Sequence, residues 1–340
     1  MSANAQPATA RPEADEVVAA ARAGDESAFA ALAETYRREL QAHCYRMLGS
    51  FEDSEDLVQE TFLRAWRRRR SFQGRSTFRA WLYRIATNAC LDALQRRPRV
   101  VHSNEKARPV AEVPWLQPYP DELLDGIASD EAEPEAEVVA RETIELTFIA
   151  AIQLLPPKQR AVLIARDVLG WSAAESASLL DVSIAAANSA LQRARAKLKQ
   201  HLPRRRVDWA PDSDPSDEER ALLHRYMEAT DRNDPAAMVE LLRADAFCAM
   251  PPRPESYVGN EAIVAAWVEG GFGSHAIGRL RCVPVRANGQ PAVAVYVRRP
   301  DDAEFRPLAL DVLRFEDGLV AEVVVFPPAV FGAFGLPRTM

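Results

Sequence analysis

Residues 155–198 read LPPKQRAVLIARDVLGWSAAESASLLDVSIAAANSALQRARAKL. Lys158 to Leu169 carries helical spacing, and Gly170-Trp171 interrupts it. Ser172-Ala173-Ala174-Glu175 has the form of a capping box, in which the serine hydroxyl takes the glutamate N–H and the glutamate carboxylate returns the bond. A short helix over 173–180 then ends at Asp181-Val182-Ser183, and Ser183 is placed to cap a longer helix reaching to about Gln200. Helix, three-residue turn and helix make a helix-turn-helix. In the second helix Ile184, Ala187, Leu191, Ala194 and Leu198 recur at steps of three and four and are expected in the core. Asn188, Gln192, Arg195 and Lys199 share the opposite stripe. Amides suit adenine edges and guanidinium suits guanine or phosphate, so this stripe has the composition that major-groove reading needs. A solvated charged face is the alternative.

Upstream, the pattern is helical from Asp15 to Arg97, punctuated by Gly24, Gly49 and Gly74, with no proline until Pro98. Val58, Phe62 and Trp66, with Leu57 and Ala65 beside them, form the core stripe of one helix. Asp53, Asp56 and Glu60 make an acidic ridge on another face. Arg67, Arg68, Arg69 and Arg70 follow at the helix end, where the helix dipole favours cations and a nucleic-acid backbone would also be held. The next helix, Phe78 to Leu94, buries Phe78, Trp81, Leu82, Ile85 and Ala89 and presents Arg84, Asn88, Asp92 and Arg96. Cations, planar groups and a lone amide are what unstacked bases require. Trp81 is expected in the core rather than as a stacking platform.

The charge balance fits such a binder only when taken by segment. Over 340 residues the net charge is -7, which argues against a polyanion partner. By segment it is -7 over 1–60, +10 over 61–99, -9 over 100–150, +7 over 151–206 and -8 over 207–340. Two basic islands separated by acid are the footprint of contact with a polyanion at two places. With 48% hydrophobic and 27% charged residues the chain reads as globular, with length for two or three domains. No run of about 18 apolar residues is present, and the start, MSANAQPATARPEADE, lacks the basic and apolar regions of a signal peptide. A cytoplasmic protein with no membrane partner is expected. Cys44, Cys90, Cys248 and Cys282 lie far apart, so reduced and mostly buried thiols are expected, with no metal and no cofactor.

Six segments follow. Residues 1–14, rich in Ala and Pro, are expected as a disordered tail, and 15–98 as a helical domain. Residues 99–136 hold Pro109, Pro114, Pro118, Pro120 and Pro134 among acids and are expected as a linker rather than a core, with Trp115-Leu116-Gln117-Pro118-Tyr119 free to dock somewhere. The helix-turn-helix domain spans 137–203, and 204–216 is a second linker. Residues 217–340 change character: helices near 217–231, 234–243 and 260–269 precede strands punctuated by the hairpin signals Asn288-Gly289 and Asp317-Gly318. Arg279–Ala287 is expected to pair with Ala292–Arg298, and Leu308–Phe315 with Leu319–Phe326, giving an α+β domain with a mostly antiparallel sheet.

Residues 17–97 resemble region 2, the promoter-melting domain, of the extracytoplasmic-function (group IV) sigma factors of the sigma-70 family, and 141–202 resemble their region 4. The likeness is carried by AGDESAFAALAETY, DSEDLVQETFLRAW, GRSTFRAWLYRIATNACLDALQRR, the helix-turn-helix stretch and NSALQRARAKL. Residues 217–340 resemble a SnoaL-like domain of the nuclear-transport-factor-like superfamily, a cone formed by a curved sheet against helices. The strings EVPWLQPYPDELLDG and FPPAVFGAFGLP fit the subgroup of sigma factors that carries such an extension. The fold implied is two all-α sigma domains, a region 2 bundle and a region 4 helix-turn-helix, plus a C-terminal α+β cone.

The resemblance implies a protein that binds core RNA polymerase, recognises -35 and -10 promoter elements and promotes transcription initiation, with its activity modulated by the C-terminal domain. No bond is made or broken in that role, so no catalytic residue is assigned. Asp53, Glu55, Asp56, Gln59 and Glu60 would meet the β′ clamp helices, and region 4 would meet the β flap. Phe72, Gln73, Gly74 and Arg75 would receive a flipped -10 base with Asn88 at the same site, while Arg64, Arg67 and Arg84 hold the backbone. Arg166, Asn188, Ser189, Gln192, Arg193 and Arg195 would lie at the -35 element. Family members often have a basic residue at the positions of Asn188 and Ala190, so a weaker phosphate grip is expected here. Tyr257, Trp267, His275 and Asp311 would line a possible cone pocket for a small ligand. The acidic linker and domain are expected to fold over the basic islands and screen them. Two other readings stay open: a ligand-sensing one-component helix-turn-helix regulator, which leaves the arginine-rich island unexplained, and a bifunctional protein with an enzymatic cone.

Overall fold

The computed structural model describes residues 10–74, 76–96, 108–124, 143–201 and 216–340. Helices α1 (Ala10–Ala23) and α2 (Glu26–Leu48) meet at Gly24-Asp25, where the Asp25 carboxylate accepts from the N–H groups of Ser27 and Ala28. Residues 10–14, expected in the tail, are the first turn of α1. Pro12 is tolerated there because first-turn amides have no helical partner. Helices α3 (Phe51–Arg68) and α4 (Phe78–Arg96) complete a bundle closed by Leu40, Leu48, Val58, Phe62, Leu82 and Ile85.

The second helical unit comprises α5 (Leu146–Gln153), α6 (Pro157–Leu163), a π-turn (Ile164–Val168), α7 (Ala173–Leu180) and α8 (Ile184–His201). The helix expected over Lys158–Leu169 therefore changes winding, with Leu169 N–H donating to Ile164 O at 3.0 Å and Trp171 N–H to Ala165 O at 2.9 Å. The capping box forms as read, at 3.2 Å from Glu175 N to Ser172 Oγ and 2.8 Å for the return bond. Ile184, expected in the core, is 49% exposed. It is the first residue of α8, and a helical side chain leans toward the N-terminus, away from the rest of the stripe.

The C-terminal unit orders α9 (Asp217–Asp231), α10 (Pro235–Leu241), β1 (Leu242–Ala249), β2 (Ser256–Val258), α11 (Asn260–Glu269), β3 (Arg279–Ala287), β4 (Gln290–Arg298), β5 (Arg306–Glu316) and β6 (Leu319–Phe326). The sheet runs β2-β1-β6-β5-β4-β3, parallel only between β1 and β6. Both expected hairpins form. Strand β1 was hidden because it leaves α10 with no turn residue between them, so the helix expected over 234–243 runs into it.

Side chains alternate across a strand, and both faces of this sheet are apolar. Val293, Val295, Leu313 and Val323 pack beneath α9, α10 and α11 with Tyr226, Met238 and Ile263. Ala292, Ala294, Tyr296, Leu310, Val312 and Val324 face the other way and join one continuous core with the sigma-like helices. An antiparallel sheet that is apolar on both faces needs two covers. Part of the second cover is the segment expected to be a linker: Pro109, Val110, Val113, Leu116, Pro118, Tyr119 and Pro120 are buried. Residues 108–124 are core, not spacer.

Candidate nucleic-acid interface

On α3 the acidic ridge is open to solvent: Glu52, Glu55, Asp56 and Gln59 are exposed, and Asp53 and Glu60 are half-buried. Arg64, expected to hold a backbone, is committed to two carboxylates, Glu60 at 2.7 Å and Asp92 at 3.0 Å. Arg67, Arg84 and Asn88 are exposed, the last two one helical turn apart on α4. Phe72 does not offer its ring to a base. It is buried at 9% exposure against Phe78 at 5.6 Å and Trp81 at 5.4 Å, anchoring the loop whose Gln73 and Gly74 are exposed. Arg75 lies outside the described residues.

On α8, Asn188 and Gln192 make one exposed row, and Ser189 and Arg193 the next. Arg195 is bound to Asp167 at 2.5 Å and 2.9 Å. Arg166 is half-buried and donates to Trp171 O at 2.5 Å, closing the π-turn. Among the described residues four of the six -35 candidates have no protein partner, and two shape the scaffold. Among the described residues no carboxylate of the linker or the C-terminal unit pairs with Arg67, Arg84 or Arg193. The most acidic stretch of the expected screen, 125–142, lies outside the described residues, and what the described part of the segment makes is a packed joint.

That joint is built on the end of α2. The last carbonyls of a helix have no helical partner and must find one. Here each of five in a row does. Tyr45 O accepts from Gly49 N–H at 2.7 Å, in the left-handed cap that glycine allows. Arg46 O accepts from Gln153 Nε2 at 3.1 Å, and Met47 O from Arg160 Nη1. Leu48 O accepts from Trp115 Nε1 at 2.9 Å, and Gly49 O from Gln117 N–H at 3.0 Å. The region 2 bundle, the region 4 unit and the middle segment are thereby bonded at one place. Arg160, 3% exposed, also donates to Ile152 O at 2.9 Å, Gln153 O at 2.7 Å and Leu155 O at 3.2 Å. Tyr83 of α4 packs edge-on against Trp171 of the other unit at 5.5 Å.

The C-terminal sheet locks the same joint through Asn288, at the tip of the β3–β4 hairpin. Its φ of 59° suits the Asn-Gly turn, and the side chain is fully buried. Asn288 Nδ2 donates to Tyr45 Oη at 2.8 Å and to Ile144 O at 2.6 Å, and Oδ1 accepts from Tyr119 N–H at 2.7 Å. Tyr45 Oη in turn donates to Gln117 O at 2.8 Å. Burial pushes the Tyr45 phenol well above its ordinary range, so it stays a donor. Asp121 holds the next residue, accepting from Gly289 N–H at 2.8 Å and from Arg286 Nε at 3.1 Å. The sequence reading met Asn288 only as a turn residue and Tyr119 only as the end of a patch free to dock, and it did not single out Tyr45 or Arg160. A further legible signal was the unbroken apolar run Pro291 to Val297, which marks a strand covered on both faces.

The four cone candidates do not share a pocket. Asp311 lies under α9, its carboxylate accepting from Tyr226 Oη at 2.9 Å, and burial pushes it up to about 7 against the relief given by that bond. Trp267 and Tyr257 border the same apolar cluster, whereas His275 is exposed in a cleft beside β3. With its folded value above its unfolded one, Asp311 binds more protons in the native state between about pH 4 and 7, so stability falls as pH rises through that window. Thermal unfolding of Asp311→Asn is expected to lack this decline, and an unchanged pH slope would contradict it. Cys44, Cys90 and Cys248 are buried free thiols and Cys282 a half-buried one. Among the described residues no cluster of three His, Cys, Asp or Glu is placed for a metal, and no helix is long and apolar enough to cross a membrane.

Two DNA-reading helical units on a shared joint, with a cone attached, define a promoter-recognition factor of the sigma-70 type. Family models agree: sigma-70 region 2 matches residues 32–100, sigma-70 region 4 matches 146–198, and a SnoaL-like domain matches 223–323. The ECF RNA polymerase sigma factor SigG of Mycobacterium tuberculosis is 44% identical over 332 residues, covering 94% of this chain and 86% of that one. SigW of Bacillus subtilis is 31% identical over 53% of this chain and 91% of its own. The crystal structure of Mycobacterium tuberculosis SigJ, at 22% identity, superposes with a TM-score of 0.57 over 91% of this chain and 99% of that chain, which supports the fold. The chain belongs to the extracytoplasmic-function RNA polymerase sigma factors, in the form that carries a C-terminal SnoaL-like domain.

Proposed function

We propose that the chain docks on the β′ clamp helices of core RNA polymerase through Asp53, Glu55, Asp56, Gln59 and Glu60, with region 4 meeting the β flap. The -10 element is held by Arg67, Gln73, Gly74, Arg84 and Asn88, with Arg64 positioned by its carboxylates, Phe72 bracing the loop and Arg75 completing it. The -35 element is read by Asn188, Ser189, Gln192 and Arg193, supported by Arg166 and Arg195. These surfaces stand open while the joint holds their two units against each other, and that is the observation that carries the reading.

At ~3.4 Å per base pair, promoter elements about 25 base pairs apart lie roughly 85 Å apart along straight duplex. Two units in side-chain contact do not span that distance. The C-terminal domain therefore acts as a brace that keeps the free protein closed, and the joint opens when polymerase and promoter are engaged.

Run-off transcription with purified core enzyme tests the reading. Asp56→Lys with Gln59→Ala is expected to abolish co-elution with core, and Arg193→Ala to lower -35-dependent initiation by about 5- to 100-fold, the worth of one base contact. Tight DNA binding without any association with core would overturn it in favour of a one-component regulator.

A further inference from the structure

At the β3 edge of the C-terminal sheet lies a cleft of about 480 Å³, walled by Arg232 at the end of α9, His275 before β3, Arg279 and Arg281 on β3, and Phe305. Residues 207–340 carry a net charge of -8, yet three arginines line this one cleft. Elsewhere in this unit Arg243, Arg286, Arg306 and Arg314 pair with carboxylates, while among the described residues the exposed Arg225, Arg253 and Arg299 do not. Among the described residues Arg232, Arg279 and Arg281 pair with none. The cleft wall also holds one acid, the exposed Asp231, whose Oδ1 accepts from Cys282 N–H at 2.7 Å.

The arrangement is held at a cost. Arg279 sits directly opposite Arg298 in the β3–β4 ladder, a like-charge pair that is unfavourable in itself. Arg281 and Arg298 both lie over the Phe305 ring, at 4.6 Å and 5.2 Å from its centroid, so the ring holds both guanidinium groups before any ligand arrives. Phe305 is pinned through its backbone, bonded in both directions to Met340 at 2.8 Å and 3.0 Å. Gly278, with φ of 97°, lets the preceding loop close on this cluster: a Cβ there would sit 2.2 Å from Arg298 O. Cations left unpaired, pre-oriented and mutually repelling in an acidic domain have the construction of an anion site.

We propose that this cleft binds a phosphate-bearing small molecule, with the phosphate between Arg232, Arg279 and Arg281. Three guanidinium groups offer more donors and charge than one carboxylate takes up, and they match a dianionic phosphate with three free oxygens. The volume exceeds what a bare phosphate needs and falls in the range of small-molecule sites. The proposal rests on the C-terminal unit alone and stands apart from the promoter assignments.

The test is calorimetric titration of the full-length chain, at fixed ionic strength, with inorganic phosphate, pyrophosphate, ribose 5-phosphate and ribose. Saturable one-site binding of at least one phosphate probe is expected, with no heat from ribose. Arg279→Gln with Arg281→Gln is expected to weaken it at least tenfold, while the exposed Arg253→Gln leaves it unchanged. Tighter binding of ribose 5-phosphate than of phosphate assigns the ligand to the organic phosphates, and the reverse to the inorganic ion. Thermal unfolding keeps the result independent of misfolding: without ligand the double variant should melt no lower than the native chain, and with ligand it should lose the upward shift that binding confers. Binding that survives the double variant, or no saturable binding by any phosphate probe, would overturn the proposal.

Discussion

Replacing Asn288 with glycine is expected to uncouple the C-terminal domain from the two promoter-reading units. Glycine keeps the left-handed backbone of the hairpin tip, where φ is 59°, so the change removes bonds without adding strain. Tyr119 N–H and Ile144 O then lose the partners now at 2.7 Å and 2.6 Å, in a place water does not reach. Stranding two buried backbone groups costs about 3 kcal/mol, a shift of roughly a hundredfold in any equilibrium between closed and open joints. Limited proteolysis should show faster cleavage between the units, and run-off transcription at limiting core enzyme should rise. Asn288→Ala should fare worse than glycine, because a Cβ is disfavoured in that backbone region. Equal proteolysis of native and variant chains would mean that the hairpin tip is not what holds the joint.

Replacing Arg160 with methionine is expected to be more damaging still. Methionine fills much of the same volume but leaves the carbonyls of Met47, Ile152, Gln153 and Leu155 without the donor that now serves all four. Breaking a buried network around a charge of this kind costs about 3–5 kcal/mol. A fall in melting temperature of about 4–7 °C is expected for a chain of this size. Lysine should recover only part of it, since an ammonium has three donors and no planar fork. Because Arg160 links α5 and α6 to the end of α2, the two helical units should also separate more readily. A melting temperature within 2 °C of the native chain would contradict the accounting of the joint.

What the sequence disclosed was local. The Ser172–Glu175 capping box, the Asn288-Gly289 and Asp317-Gly318 hairpins and the exposed rows on α8 depend on residues within a few positions of each other. Their physics is complete in a short window, and they stand where the pattern put them. The joint was illegible for the opposite reason. Asn288 and Tyr45 are 243 positions apart, and asparagine before glycine already has a sufficient local explanation as a turn. Prolines and acids around Trp115 suggested a spacer, yet the same prolines suit a non-helical strip laid over an apolar sheet, where a missing N–H leaves nothing unsatisfied. Arg64, Phe72, Arg166 and Arg195 show a related limit. Spacing locates such residues near a surface, and only the fold reveals that a carboxylate, an aromatic cluster or a carbonyl already holds them.

Polymerase and promoter together are expected to part the two promoter-reading units. Spin labels at Glu34→Cys on α2 and Ala196→Cys on α8, both exposed positions, report that separation directly. In the free protein a single narrow distance is expected. In the complex with core polymerase and promoter DNA it should lengthen by tens of ångströms. The same distance in both states would contradict the braced, closed form as the state that polymerase and promoter open.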